Sequence, residues 1–226
     1  AESITKTGQL AVRWIWDAAN EYLNQNLGTK DVDYILAGDT DSMYINLEKM
    51  VLSSGIESNE TQRIIEFLDD VCKKKLEPFI ERQLISFGQM LGSYSHNIRM
   101  NREAICNKAI WRGKKMYILN VWNNEGIAYP KPKIKIKGIE AVRSNTPMVC
   151  RDAIRKAIDL IMNKDETDLQ QYVADFESKF MAMPFEDIAR PSTLNGLDHY
   201  YDPQTLFKLH CPIHVRGAIL YNKLLA

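Results

Sequence analysis

Two aspartates, Asp39 and Asp41, stand one residue apart in the stretch Tyr34-Ile35-Leu36-Ala37-Gly38-Asp39-Thr40-Asp41-Ser42-Met43-Tyr44-Ile45. Runs rich in aromatic and β-branched residues flank Gly38-Asp39-Thr40-Asp41, which predicts a β-hairpin with two carboxylates at its tip. Residues two apart on an extended strand project to one side, and two carboxylates held that closely repel unless a cation lies beside them. Oxygen ligands of this hardness suit Mg²⁺ or Mn²⁺ rather than zinc. Asp and Gly are also ordinary turn residues, so a plain solvated turn competes with the metal reading. An EF-hand is excluded, because Met43 falls where that loop wants Asp or Asn and Tyr44 where it needs glycine.

A second stretch with chemical content is Lys131-Pro132-Lys133-Ile134-Lys135-Ile136-Lys137-Gly138. Read as a strand, it sets every lysine on one face and Ile134 and Ile136 on the other. Same-face neighbours are about 7 Å apart, close to the spacing of phosphates along one nucleic-acid strand. Lysines so arranged also protect an edge strand from pairing with another chain, and Pro132 suits an edge under either reading.

Helices must support these stretches. Leu10, Trp14, Ala18 and Tyr22, with Ala11, Ile15, Ala19 and Leu23, recur at i, i+4 spacing. They predict an amphipathic helix from about Ile4 to Asn26, with Gly28 as its stop. A helical pattern from about Asn59 to Leu91 is expected to kink or divide at Pro78. Asn97 to Cys106 and Lys114 to Trp122 read as strands, with Asn123-Asn124-Glu125-Gly126 reversing the chain through positive φ. Glu103, in the first of these strands, is within range of the hairpin tip as a third carboxylate; a surface salt bridge is the alternative. Beyond Thr146, expected to cap a helix with Pro147 at its first position, the pattern turns helical. One helix ends near Asn163, a second spans about Thr167 to Met183, and a last begins near Ile213. The fold class is therefore α+β.

The chain has 226 residues, 29 basic and 29 acidic, and is 45% hydrophobic. Between Ile98 and Lys156 lie 14 basic residues against four acids, so neutrality conceals a segment of charge +10 within a remainder of −10. A basic middle of this kind is the footprint expected for nucleic acid, with a merely solvated basic surface as the rival. No apolar run approaches the ~20 residues of a membrane span and no signal-peptide pattern opens the chain. The expected setting is cytoplasmic. Cys72, Cys106, Cys150 and Cys211 are irregularly spaced, which points to reduced thiols. His210-Cys211-Pro212-Ile213-His214 groups three zinc-ligand types without a nearby fourth. A first residue of Ala rather than Met suggests a processed chain or a fragment.

Asp39-Thr40-Asp41-Ser42 between two strands resembles motif C of the B-family DNA polymerases. Ile4-Thr5-Lys6-Thr7-Gly8-Gln9 and Asn20-Glu21-Tyr22-Leu23-Asn24 resemble the branch from T-even-type bacteriophages. The likeness continues in the family's order through Gly113-Lys114-Lys115-Met116-Tyr117, Lys137-Gly138-Ile139-Glu140 and Cys211-Pro212-Ile213-His214-Val215-Arg216-Gly217. Met116 stands where the family's Lys-Lys-Arg-Tyr has arginine, and Ala37 where the family usually has tyrosine.

The resemblance implies residues 1–138 as the C-terminal part of a polymerase palm, an antiparallel sheet with supporting helices. Residues 139–226 would be the first part of a mainly helical thumb. It implies transfer of a nucleotide from dNTP to a primer 3′-OH with two Mg²⁺ ions. Asp41 would be the main ligand, Asp39 a second carboxylate, and Glu103, in the matching Arg102-Glu103-Ala104, a third near the metals. Lys114, Lys115, Tyr117, Lys133, Lys135 and Lys137 would hold primer–template DNA. The family's motif A, with its other metal-binding aspartate, is absent from these residues. The expectation is therefore a part that is inactive alone, needs an N-terminal fragment, and leaves a docking or self-associating apolar face. A noncatalytic nucleic-acid-binding module and a metal-dependent nuclease are the alternatives.

Overall fold

The structure is a computed structural model that describes residues 2–225. It is α+β and divides into two compact units, residues 1–137 and 138–226. No helix among the described residues is long and apolar enough to cross a membrane.

The first unit opens with α1, Glu2–Leu27, which buries Ala11, Ile15, Ala19 and Leu23 at four-residue spacing. It stops at Gly28, whose φ of 62° is free of strain only for glycine. The Thr29 N–H closes the end on the Asn24 carbonyl at 2.9 Å. Strand β1 (Ile35–Asp39) then pairs antiparallel with β2 (Ser42–Ile45). Short helix α2 (Glu48–Ser53) follows, then α3 (Thr61–Val71), a widened π turn (Cys72–Leu76) and α4 (Glu77–Met90). Pro78 sits in the first turn of α4, where its missing N–H is tolerated, and the π turn lies immediately before it. The long helical pattern is thus divided near Pro78.

The hairpin is packed on both faces, and alternation sorts its side chains. Met43 joins Ile15, Ile80 and Leu84, while Ile45 joins Leu23, Tyr34, Cys72 and Leu76, both against the helices. Tyr44, between them, packs with Tyr117, Leu119 and Val121 of the sheet that follows. That sheet runs β3 (Ala104–Gly113), β4 (Met116–Asn124), β5 (Ile127–Lys137), with β4 in the centre. Glu125 and Gly126 turn β4 into β5 with φ of 50° and 90°, the left-handed pair that two-residue hairpin loops favour.

Four boundaries differ from expectation. Asn123 and Asn124, expected in the reversal, are the last residues of β4, which leaves Glu125 and Gly126 as the turn. Residues 97–103 are not a strand: β3 begins at Ala104, so Glu103 precedes it. Arg102 explains the irregular approach, since it is held from three sides. Its guanidinium pairs with Asp69 and donates to Asn123 Oδ1 at 2.7 Å, and its backbone N–H donates to Glu77 at 2.8 Å. Asp41 lies in the turn rather than on a strand, so the same-side argument from strand alternation does not apply to Asp39 and Asp41. Thr146 does not cap the next helix, because Pro147 occupies that position with no side-chain cap.

The second unit begins with a 3-10 turn at Glu140–Val142, followed by α5 (Met148–Asn163) and α6 (Glu166–Met181). The cap in this pair is Asp165, whose carboxylate accepts from the Asp168 N–H at 3.0 Å. Short elements α7 (Phe185–Ile188), α8 (Leu197–Tyr200), β6 (Tyr201–Asp202) and β7 (Leu206–Phe207) lead to α9 (Ile213–Leu225). Cys211, Val215 and Ile219 bury themselves against Leu197, Tyr200, Leu206 and Phe207, so Cys211 is a core residue. All four cysteines are free thiols, and burial pushes the Cys72 thiol up to about 11, which leaves it protonated and unreactive at neutral pH.

The Arg102 side chain is 9% exposed and its partner Asp69 18%. Removing the carboxylate leaves a nearly buried guanidinium without its counter-charge, which typically costs 3–5 kcal/mol. Asp69→Ala is expected to lower the urea-unfolding free energy of the chain by about 3 kcal/mol. Arg63→Ala, which breaks an exposed pair with Glu60, is expected to change it by less than about 0.5 kcal/mol.

Candidate metal hairpin and nucleic-acid edge

The hairpin is aimed by two asparagines one helical turn apart on α1. Asn20 Oδ1 accepts the Tyr34 N–H at 2.7 Å. Asn24 donates to the Val32 carbonyl at 2.8 Å and accepts the Val32 N–H at 3.1 Å. Together they fix the connector from α1 to β1, which gives Asn20-Glu21-Tyr22-Leu23-Asn24 a physical role that its helical pattern does not reveal. Nearer the tip, the Trp16 ring closes over Gly38: a Cβ there would lie 3.2 Å from the ring and 3.4 Å from the Ser42 carbonyl oxygen. A side chain here would require the ring to give by a few tenths of an ångström, so the approach favours glycine.

Asp39 faces Ser42 as the last pair of the ladder, and Thr40 and Asp41 form the two-residue loop. Thr40 has φ of 57°, and the Asp41 N–H reaches back to the Asp39 carbonyl at 2.6 Å. This γ-turn conformation is rare and strained for a β-branched residue, and strain of this kind gathers at functional sites. Asp41 is exposed at the tip. The Asp39 side chain is only 14% exposed, and both its oxygens are engaged. Oδ1 accepts the Thr40 hydroxyl at 3.1 Å and Oδ2 accepts Lys137 Nζ at 3.5 Å.

Lys137 ends β5, an edge strand whose burial alternates from Lys131 to Lys137 as the sequence predicts. Lys133, Lys135 and Lys137 are register partners of Val121, Leu119 and Tyr117, so their face is the one that carries Tyr44. Each has an intramolecular neighbour. Lys133 stands 4.0 Å over the Tyr129 ring, Lys135 pairs with Glu103, and Lys137 lies 5.5 Å over the Tyr117 ring as well as against Asp39. Lys114 and Lys115 are exposed in the loop between β3 and β4, and Tyr117 behind them is buried.

Tyr44 was not singled out by the sequence, yet it joins the hairpin to the sheet. Its ring meets Trp111 edge-on at 5.2 Å and Tyr117 at 5.7 Å. Burial raises its phenol first, and a hydrogen bond with Tyr117 adds to the shift. Its β-strand parity opposite Met43 was the available signal.

Asp39, Tyr117 and Lys137 are thus brought together, and Glu103 is paired with Lys135 on the same strand face. Among the described residues no three His, Cys, Asp or Glu side chains converge as a metal cage. Asp39 and Asp41 nonetheless fit a share in a Mg²⁺ site, since Mg²⁺ is commonly held by one or two carboxylates with waters and phosphates completing its shell.

The Lys137 ammonium is held above the ordinary lysine value, mainly by Tyr117 and then by Asp39. A lysine raised in the folded state stabilises the fold below its unfolded pKa, and this contribution fades as pH climbs through the folded value. Tyr117→Phe and Asp39→Asn are each expected to bring the Lys137 pKa down toward that of an ordinary lysine, Tyr117→Phe by more. Nζ-detected NMR titration measures both.

The pattern of DNA polymerase family B matches residues 87–194. Over 232 residues the chain is 34% identical to the DNA-directed DNA polymerase of Enterobacteria phage T4. It is 35% identical over the same length to that of Escherichia phage RB69. Each alignment takes in 99% of this chain and 26% of the relative, so the chain spans about a quarter of the length of the curated relatives it matches. With motif order, hairpin and whole-length identity in agreement, the chain belongs to DNA polymerase family B and is a relative, over that quarter, of the T4-type enzymes.

Proposed function

We propose that these residues are the C-terminal palm and the start of the thumb of a template-directed DNA polymerase. In this reading they help to transfer nucleotides from dNTP to a primer 3′-OH in a host-cell cytoplasm. The observation that carries the reading is the meeting of the aspartate hairpin with the lysine edge at Asp39 and Lys137. Carboxylates and phosphate-binding cations are needed side by side where a primer end meets a metal.

Asp41, exposed at the tip, is the main metal ligand of this part, Asp39 the second carboxylate, and Glu103 a third acid near by. Two Mg²⁺ ions, when bound, neutralise charge developing on the attacking and leaving oxygens. The chain's own residues position the reactants. Lys114, Lys115, Lys133, Lys135 and Lys137 neutralise backbone phosphates, and Tyr117 supports Lys137 from below. Base pairing, not these contacts, reads sequence.

Two aspartates on one hairpin do not complete a two-metal site, so the 226 residues alone are inactive and act with a polypeptide that carries the other palm aspartate. The decisive experiment is Mg²⁺-dependent primer extension by this chain, alone and mixed with such a polypeptide. Extension only in the mixture, lost with Asp41→Ala, is expected. Extension by the chain alone would overturn the need for a partner, and tight duplex binding without extension in any mixture would make the chain a noncatalytic binding module. Lys135→Ala is expected to weaken duplex binding uniformly across sequences and to flatten its salt dependence by roughly one unit of slope.

A further inference from the structure

Both oxygens of Asp39 are already occupied, and the occupant of Oδ2 is a residue assigned above to DNA. Lys137 Nζ lies 3.5 Å from Oδ2, with the lysine 53% exposed. Lys135 and Glu103, 43% and 58% exposed, repeat the arrangement one step along the same strand face. The ammonium end of each pair is open to water, although Asp39 itself is only 14% exposed, so the lysine can leave its carboxylate for solvent or for an anion. Lys137 also has a second resting place, because the Tyr117 ring lies beneath it. A cation at Oδ2 would stand beside the ammonium 3.5 Å away and repel it, and a phosphate at the ammonium would draw it from the carboxylate.

We propose that Lys137, with Lys135 beside it, is an internal counter-ion of the carboxylates, so that a divalent cation and a nucleic-acid phosphate assist each other's binding by exchanging partners across these ion pairs. The linkage to DNA rests on the proposed polymerase function, whereas the competition between Lys137 and a cation does not. Coupling of this kind is reciprocal. Its sign is also opposite to the ordinary effect of Mg²⁺, which competes for phosphates as a counter-ion and weakens protein–DNA binding.

Two measurements on the chain itself test the exchange. In the first, Mn²⁺ is the probe and free Mn²⁺ is counted by electron paramagnetic resonance at low salt. Lys137→Gln removes the competing charge and is expected to tighten Mn²⁺ binding roughly two- to fivefold. Asp39→Asn is expected to weaken it, which locates the ion at the hairpin. In the second, binding to a labelled primer–template duplex is followed at fixed ionic strength with Mg²⁺ or with chelator. Mg²⁺ is expected to tighten binding by the unaltered chain. Asp39→Asn is expected to bind tightly without Mg²⁺ and to gain nothing from it.

No Mn²⁺ bound at the hairpin, or equal or weaker binding by Lys137→Gln, overturns the competition. A duplex that is bound but loosened or unaffected by Mg²⁺ overturns the coupling. Tighter Mn²⁺ binding by Lys137→Gln with no duplex binding under any condition leaves the competition standing and counts instead against the DNA polymerase reading.

Discussion

A carboxylate and an ammonium, Asp39 and Lys137, meet between two sheets that share no strand pairing. Backbone hydrogen bonds fix β1 against β2 and β5 against β4, but among the described residues none fixes one sheet against the other. Where they meet, this pair and the Tyr44 ring wedged against Trp111 and Tyr117 join them, while Arg102 ties the start of β3 to the helices behind the hairpin. Ring contacts supply area and a defined distance, while the ion pair, open to water at its lysine end, contributes chiefly direction. The site therefore depends on packing for its geometry and on charge for its chemistry.

Everything behind the hairpin serves to hold it still. Asn20 and Asn24 satisfy the backbone of the connector, so a segment without regular structure is as fixed as a strand. Trp16 covers Gly38, and the strained Thr40 backbone is held in place by the ladder on either side. A polar site on a rigid support keeps its geometry without help from its ligands.

The sequence displays what depends on local periodicity. The buried stripe of α1 and the alternation along Lys131 to Lys137 are patterns repeated within a few residues, and both appear in the fold; the reversal expected at Asn123 to Gly126 also appears, shortened to Glu125-Gly126. What it conceals depends on long-range partners. Glu103 stands 32 residues from the Lys135 it binds and Asp39 98 residues from Lys137, so neither pair leaves a local mark. Arg102 is drawn out of strand geometry by Asp69 and Glu77, which a propensity argument cannot see. At the start of α6, Asp165 outcompetes Thr167 as the boundary because its carboxylate can reach the Asp168 N–H. The two-residue loop also removed Asp41 from the strand on which its spacing to Asp39 had placed it.

The double-sided packing of β2 fixes how this region can vary. Met43 and Ile45 point to the helices and Tyr44 to the sheet, so substitutions that preserve size can be absorbed at each position separately. A one-residue slip of β2 against its neighbours would exchange the faces of all three at once. Tyr44 would turn into the aliphatic pocket of Ile15 and Leu84, and a methionine or isoleucine would be left against Trp111. A change of length at this tip is therefore compatible with the fold only where the loop itself takes up the extra residue and leaves the register of β2 intact.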